Sequence, residues 1–334
     1  MTTIYDIAKR CSVSIATVSR ALNGHSGVSE RTRKRIMEVC EELSYYPSAT
    51  ARGLTLNRSW TLGVYFQDDL THPLYQHILS SFKHSIELSG YDLLFFNTHE
   101  SSVDIEQLVI RTNYRNLDGM LFSGLPDNDL PERLTHINIP CVGVNMKLEG
   151  RRARYVVSDN YGGALNAVNY LLRNGHRNIA FVGEMSFPPI YDRYLGYLDA
   201  LRSLNIGPRE EWVVSSHWTE EEGYAVGVSL AKNTELPSAV FCATDQQAVG
   251  MMHAFEDLGI QVGVDISIIG FDDITLARYV KPRLTTVRQD QARLGQVAAR
   301  LLVDLVEGRG TPESIVIPTE LVIRESVSSV RTLS

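Results

Sequence analysis

The sequence predicts a small all-α helix-turn-helix unit at its N-terminal end, followed by a much larger α/β part built on parallel sheets. Three observations carry this. Residues 4 to 23 read as two short amphipathic helices joined by a tight turn. From Thr61 onward short apolar strands alternate with amphipathic helices, the pattern of parallel sheets covered on both faces. Charge divides along the same line: through Arg58 there are nine Lys or Arg against five Asp or Glu, and the remainder carries 23 against 34. The basic end suits phosphate, and the acidic body does not.

In the first helix Ile4, Ile7, Ala8 and Cys11 repeat at helical spacing, with Asp6 in the first turn where the backbone dipole favours negative charge. Small Ala8 lets the second helix cross closely. Ser14 is the expected N-cap of that helix, with Val18, Ala21 and Leu22 facing inward and Ile15, Ala16, Ser19, Arg20 and Asn23 outward. A third helix begins at the Ser29 cap and Glu30, and buries Ile36, Val39, Cys40 and Leu43. An ordinary three-helix bundle shares much of this pattern. As a DNA reader, its best base contact is Arg20, suited to guanine O6 and N7, while Ile15 and Ala16 suit a thymine methyl. Thr3, Tyr5, Ser14, Thr17, Ser19, Asn23 and Thr32 suit phosphate or mixed contacts, because hydroxyls and amides at helix ends fix register without reading much sequence. For Tyr5 the alternative is packing on the bundle edge.

After Tyr45-Tyr46-Pro47, residues 48 to 54 (Ser-Ala-Thr-Ala-Arg-Gly-Leu) could make two helical turns, too few to be stable alone. Gly53 weakens them further, by about 1 kcal/mol against alanine. Beyond them, residues 62–66, 93–96, 119–122, 141–144, 179–182, 239–242 and 267–270 read as strands, and 75–89, 162–174 and 246–258 as helices.

A chain of 334 residues exceeds what one core usually covers. Cys11, Cys40, Cys141 and Cys242 stand far apart in apolar contexts, without metal-site spacing or a secretory signal, and are expected reduced and buried. No apolar run approaches the roughly 20 residues that span a bilayer, so a cytoplasmic protein without a membrane role is expected. In parallel sheets ligands sit beyond the carboxyl ends of the strands. The residues there are Asp68, Asp69 and His72, then Asn97, Ser123, Asn145, Thr244-Asp245 and Asp272-Asp273. They include no nucleophile–base pair, phosphate loop or metal motif, so neither an enzyme nor a cofactor is expected. Carboxylates, amides and arginine do offer the paired donors and acceptors that vicinal hydroxyls require. For Asp69, Asp245 and Asp273 the alternative is a strand-end turn or helix cap.

The run from Ile4 through Leu54 resembles the lactose-repressor and galactose-repressor family of bacterial transcription factors. The resemblance continues through Asp159-Asn160-Tyr161-Gly162, residues 174 to 180 (Asn-Gly-His-Arg-Asn-Ile-Ala), Arg193-Tyr194-Leu195-Gly196-Tyr197, Thr244-Asp245-Gln246 and Ile269-Gly270-Phe271-Asp272-Asp273. It implies a DNA-binding domain at 1–46, a hinge helix and linker at 47–58, and a bilobed, periplasmic-binding-protein-like core at 59–334. One subdomain would take about 59–160 and 291–320, the other 161–290 and 321–334. By resemblance Ala51 and Leu54 belong to the hinge, with Leu54 wedged into the minor groove. Likewise Arg193 falls on the effector-contacting arginine, Asp272 on the carboxylate that takes sugar hydroxyls, and Trp218 on a pocket aromatic that could instead be core. Asn145 and Thr244 fall where selectivity varies. His72 and Tyr75 occupy a His-Pro-Leu-Tyr stretch where relatives often have Asn-Pro-aromatic.

The implied protein is a repressor of carbohydrate genes that binds palindromic operator DNA as a homodimer, since one helix-turn-helix reads only a half-site. Residues 325 to 334 carry no heptads that would join dimers into a tetramer. A small sugar in the interlobe cleft would change operator affinity. A nucleobase or a phosphoprotein corepressor is the alternative control, and a solute-binding protein the remaining one.

Overall fold

Helical periodicity places one apolar stripe on each of three helices, and the stripes meet. Ile4–Cys11 (α1), Ile15–Leu22 (α2) and Glu30–Glu42 (α3) bury Ile7, Ala8, Cys11, Val18, Ala21, Ile36, Val39 and Cys40 in a common centre. The Asp6 carboxylate accepts both the Thr3 N–H and the Thr3 hydroxyl at 2.8 Å, which caps α1 and holds the Asp6 carboxyl below its usual range. Ser12, at φ 56, ends α1 in the left-handed region. Ser14 then starts α2 by accepting the Thr17 N–H at 3.1 Å. Arg33 Nη1 donates to the Ala21 carbonyl at 2.7 Å and so satisfies an orphan acceptor at the end of α2.

The computed structural model describes residues 2–22, 26–45, 58–66, 72–97, 105–123, 138–148 and 150–330. They fall in two units, Met1–Trp60 and Thr61–Ser334. The second unit opens with Thr61–Phe66 (β1), Pro73–Leu88 (α4), Asp92–Asn97 (β2), Ile105–Tyr114 (α5), Gly119–Ser123 (β3), Cys141–Val144 (β4) and Ala153–Ser158 (β5). A second run follows: Asn160–Arg173 (α6), Ile179–Val182 (β6), Pro188–Arg202 (α7), Val213–Val214 (β7), Glu220–Ala231 (α8), Ala239–Cys242 (β8), Asp245–Asp257 (α9), Ser267–Asp272 (β9) and Thr285–Arg288 (β10). Gln291–Glu307 (α10) and Ile315–Ile317 (β11) return to the first lobe, and Glu320–Val322 (β12) to the second.

The first sheet has the order β11-β5-β4-β3-β1-β2, with every pair parallel. The second has the order β12-β10-β9-β8-β6-β7 and is parallel except for β12 on β10. Alternation along the strands explains why both faces are covered. Ile179 and Phe181, with Ala239 and Phe241, enter one core, while Ala180 and Val182, with Val240 and Cys242, enter the other. The chain passes between lobes at 158–160, 288–291 and 317–320. The first core helix begins at Pro73, two residues before the apolar pattern suggests. Proline fits the first helical turn, and His72 caps it, Nδ1 accepting the Leu74 N–H at 3.3 Å. All four cysteines are free and buried. Among the described residues no helix is long and apolar enough to cross a membrane.

Candidate functional site

The second helix presents a polar and apolar mixture outward. Ser14, Ile15, Ala16 and Arg20 are exposed, and Tyr5 is 68% exposed, so packing on the bundle edge does not describe it. Thr17, Ser19 and Thr32 are half-buried. Ser14 and Thr17 share one hydrogen bond between hydroxyls at 2.8 Å, and Ser29 and Thr32 share another at 2.8 Å. Each pair therefore spends one hydroxyl proton internally and keeps one for an outside acceptor such as phosphate. Thr3 differs, because its hydroxyl proton goes to Asp6. Asn23, Ala51 and Leu54, with residues 47–57 of the expected hinge and linker at 47–58, lie outside the described residues.

In the second unit the carboxyl ends of both sheets face one cleft, where His72, Tyr75 and Asn145 of the first lobe meet Arg193, Trp218, Thr244 and Asp272 of the second. Leu74, Phe187, Pro189 and Ile190 complete the lining of a cavity of about 470 Å³ counted out to its mouth. Ser123 does not join the lining. It is fully buried, and its hydroxyl donates to the Val144 carbonyl at 3.0 Å, so the strand-end rule misplaces it. Asn97 closes β2 opposite Phe66, with only its backbone described, and Asp69 lies outside the described residues.

Arg193 enters from α7 and is 4% exposed. Its Nε donates to Asn160 Oδ1 at 2.9 Å, its Nη1 donates to the Ala243 carbonyl and stands 3.5 Å from Asp272 Oδ1, and its guanidinium lies 3.7 Å over the Phe271 ring. Burial pulls its pKa down, and Asp272 opposes this. Asp272, 2% exposed, has its carboxyl pushed up to about 6 by burial, against the favourable pull of Arg193 and of Gln289. Its backbone sits at φ 122, a conformation costly to any residue but glycine and held here by the bonds around it.

The two neighbouring carboxylates have other tasks. Asp245 is fully buried at the start of α9, accepting the Thr286 hydroxyl and, at 2.9 Å, the Ile274 N–H. Burial first, then repulsion from Asp272, raises its pKa well above the ordinary range. Gly270 is required beside it, since a Cβ there would stand 2.2 Å from Asp245 Oδ1. Asp273 is gripped by Arg324, by Arg288 at 2.7 Å and by Arg278 at 3.2 Å. Burial alone would raise its pKa, but these hydrogen bonds outweigh it and hold the group ionised.

Thr244 caps α9 in a reciprocal pair with Gln247, whose Nε2 donates to the carbonyls of Ser216 and His217, each at 2.9 Å. That holds the loop bearing Trp218, whose ring meets Phe187 edge-on at 4.6 Å. Asn145 stands at φ 54 with a buried Oδ1 that has no partner among the described residues. At the rim Lys147 Nζ reaches Asp192 Oδ2 at 3.2 Å, the only ion pair between lobes among the described residues. Reasoning from sequence missed Asn160, Gln289, Gln247 and Phe187. The Thr-x-x-Gln spacing of residues 244 and 247 was a readable sign of the cap. Among the described residues no three His, Cys, Asp or Glu stand where they could hold a metal.

Residues 3–48 match the model for bacterial regulatory proteins of the lacI family, and residues 168–327 that for a periplasmic binding protein-like domain. The chain is 34% identical over 333 residues to the HTH-type transcriptional repressor PurR of Proteus mirabilis (strain HI4320), covering 98% of this chain and 97% of the relative. PurR of Yersinia pestis (strain Pestoides F) is 33% identical with the same coverage. Among solved structures, the Lac repressor dimer bound to operator and the anti-inducer ONPF has a TM-score of 0.86 at 26% identity, over 98% of this chain and 99% of that one. The complex of transcriptional regulator CelR with cellobiose has a TM-score of 0.74 at 27% identity, over 98% and 100%. A LacI family regulator from Enterococcus faecium with bound ribose has a TM-score of 0.71 at 27% identity, over 81% and 100%. The chain therefore belongs to the lacI family of bacterial regulatory proteins, a helix-turn-helix transcriptional regulator and not an enzyme.

Proposed function

We propose that this chain is a homodimeric repressor of carbohydrate genes, cytoplasmic and associated with the nucleoid while bound, whose operator affinity answers to a small sugar held between the lobes. Ile15, Ala16 and Arg20 read one half-site of a palindromic operator, Ser14, Thr17, Ser19, Asn23, Thr32 and Tyr5 fix register on phosphate, and Leu54 of the 47–58 hinge wedges the operator centre. The observation that carries the effector reading is Asn145 Oδ1, a buried acceptor without a partner among the described residues, on a side chain lining the cleft that also holds Arg193 and Asp272. An unpaired acceptor of this kind costs about 1–3 kcal/mol, which a ligand hydroxyl recovers. Acceptor, cation and carboxylate together match vicinal hydroxyls, and the rings of Tyr75 and Trp218 suit the apolar side of a pyranose. Sugars occupy two of the similar structures, as cellobiose and as ribose.

A nucleobase is the second reading, favoured by higher identity to repressors named PurR, at 34%, than to the sugar complexes, at 27%. A thermal-shift screen over carbohydrates and purine bases decides between them, because ligand at 100 times its dissociation constant stabilises by about 2.7 kcal/mol. A sugar hit lost in Asp272→Asn supports the first reading. A shift with purines alone replaces it.

A further inference from the structure

Arg193 and Asp272 are joined by a relay of hydrogen bonds as well as by their direct approach. Arg193 Nε donates to Asn160 Oδ1 at 2.9 Å, and Asn160 Nδ2 donates to the Ser158 carbonyl at 3.1 Å. Ser158 Oγ donates to Gln289 Oε1 at 2.6 Å, and Gln289 Nε2 donates to Asp272 Oδ1 at 2.6 Å. The direct approach of Arg193 to Asp272, at 3.5 Å, closes the circuit. Every member is buried.

The circuit runs through the strands that connect the lobes. Ser158 and Asn160 bracket the first crossing, and Gln289 lies in the second, where Gln291 Nε2 also donates to the Asp272 carbonyl at 3.0 Å. The third crossing is tied to the first, since the Asp159 N–H donates to the Ile317 carbonyl at 2.8 Å and the Thr319 hydroxyl to the Asp159 carbonyl at 3.2 Å. Apolar side chains could fill this space without polar groups to desolvate. A fully paired polar circuit instead has one preferred geometry and resists partial rearrangement.

We propose that Asn160, Ser158 and Gln289 are positioning residues that hold Arg193 and Asp272 and pass any displacement of that pair to the interlobe crossings, which sets the angle between lobes. This rests on the reading of Arg193 and Asp272 as effector groups. A ligand that draws either one into the cleft lengthens its bond to Asn160 or Gln289, and those residues belong to the connecting strands.

The test needs no ligand. Spin labels at His84→Cys on α4 and Arg202→Cys on α7 report the interlobe distance in the full chain, diluted with unlabelled chain so that only distances within one subunit are read. Both positions are exposed and the native cysteines are buried. Gln289→Met, similar in volume but without the amide, is expected to lose the single narrow distance. Asp272→Ala is expected to lose it too, yet to add nothing in the Gln289→Met background, since both act through one circuit. A wild-type distance in Gln289→Met, or additive broadening in the double variant, overturns the proposal. If either variant fails to fold, Ser158→Ala removes one hydroxyl and carries the test: a broadened distance supports the circuit and an unchanged one overturns it. If the distances respond while neither sugars nor purine bases shift the wild-type melting temperature, the circuit stands and the effector reading falls. The reverse pattern leaves the site and removes the coupling.

Discussion

Asp272→Asn tests whether the cleft carboxylate is kept at the expense of stability. Burial raises its pKa from an ordinary 3.8 to about 6 even with Arg193 beside it. The folded state thus holds this proton more tightly than the unfolded chain does. The stabilisation is fully present below about pH 3.8 and is lost as pH rises through about 6. At about 1.4 kcal/mol for each pH unit, the interval amounts to about 3 kcal/mol. Asparagine cannot ionise, so the variant gains on the wild type as pH rises from 4 to 7.5 by up to about 3 kcal/mol, whatever pH-independent change the substitution brings. Asp245, repelled by Asp272, ionises more readily in the variant. Urea unfolding of both proteins at several pH values, monitored by tryptophan fluorescence, measures the difference. Parallel stability curves across that range refute the argument and make Asp272 an ordinary ionised partner of Arg193.

Leu54→Ala is expected to weaken binding to specific operator while sparing the salt-sensitive affinity for random DNA, and equal losses on both remove the wedge role. Arg20→Ala should cost about 1–3 kcal/mol on operator and relax preference at one guanine position, as read by anisotropy on a set of single-base variants. Ser123→Ala should leave the affinity of any cleft ligand unchanged in calorimetry, because that hydroxyl is spent on Val144.

Local chemistry made much of this molecule readable in advance. Ile7, Ala8, Cys11, Val18 and Ala21 stand at helical spacing and do form the core of the first unit. The strands around Phe181, Phe241 and Ile269 announce themselves as apolar runs because both their faces are covered. Arg193 and Asp272 were found through sequence motifs and share one cleft. What stayed hidden depends on partners far along the chain. Ser158 and Gln289 are 131 residues apart, and nothing near either one marks a hydrogen bond between them. The two- and three-residue strands β7, β11 and β12 are defined by pairing with distant segments, too short for any period to show. Ser123 was misassigned because the end of a strand locates a residue near the cleft without saying which way its hydroxyl turns.

The central claim is that a small molecule between the lobes changes the grip on operator. Operator affinity measured by fluorescence anisotropy, with and without the ligand that emerges from the sugar and purine screen, tests it most directly in wild type and in Asp272→Asn. The account predicts a change of about 5- to 150-fold in the wild type, the usual span of allosteric coupling, and little or none in the variant. A ligand that binds the cleft while operator affinity stays the same contradicts it.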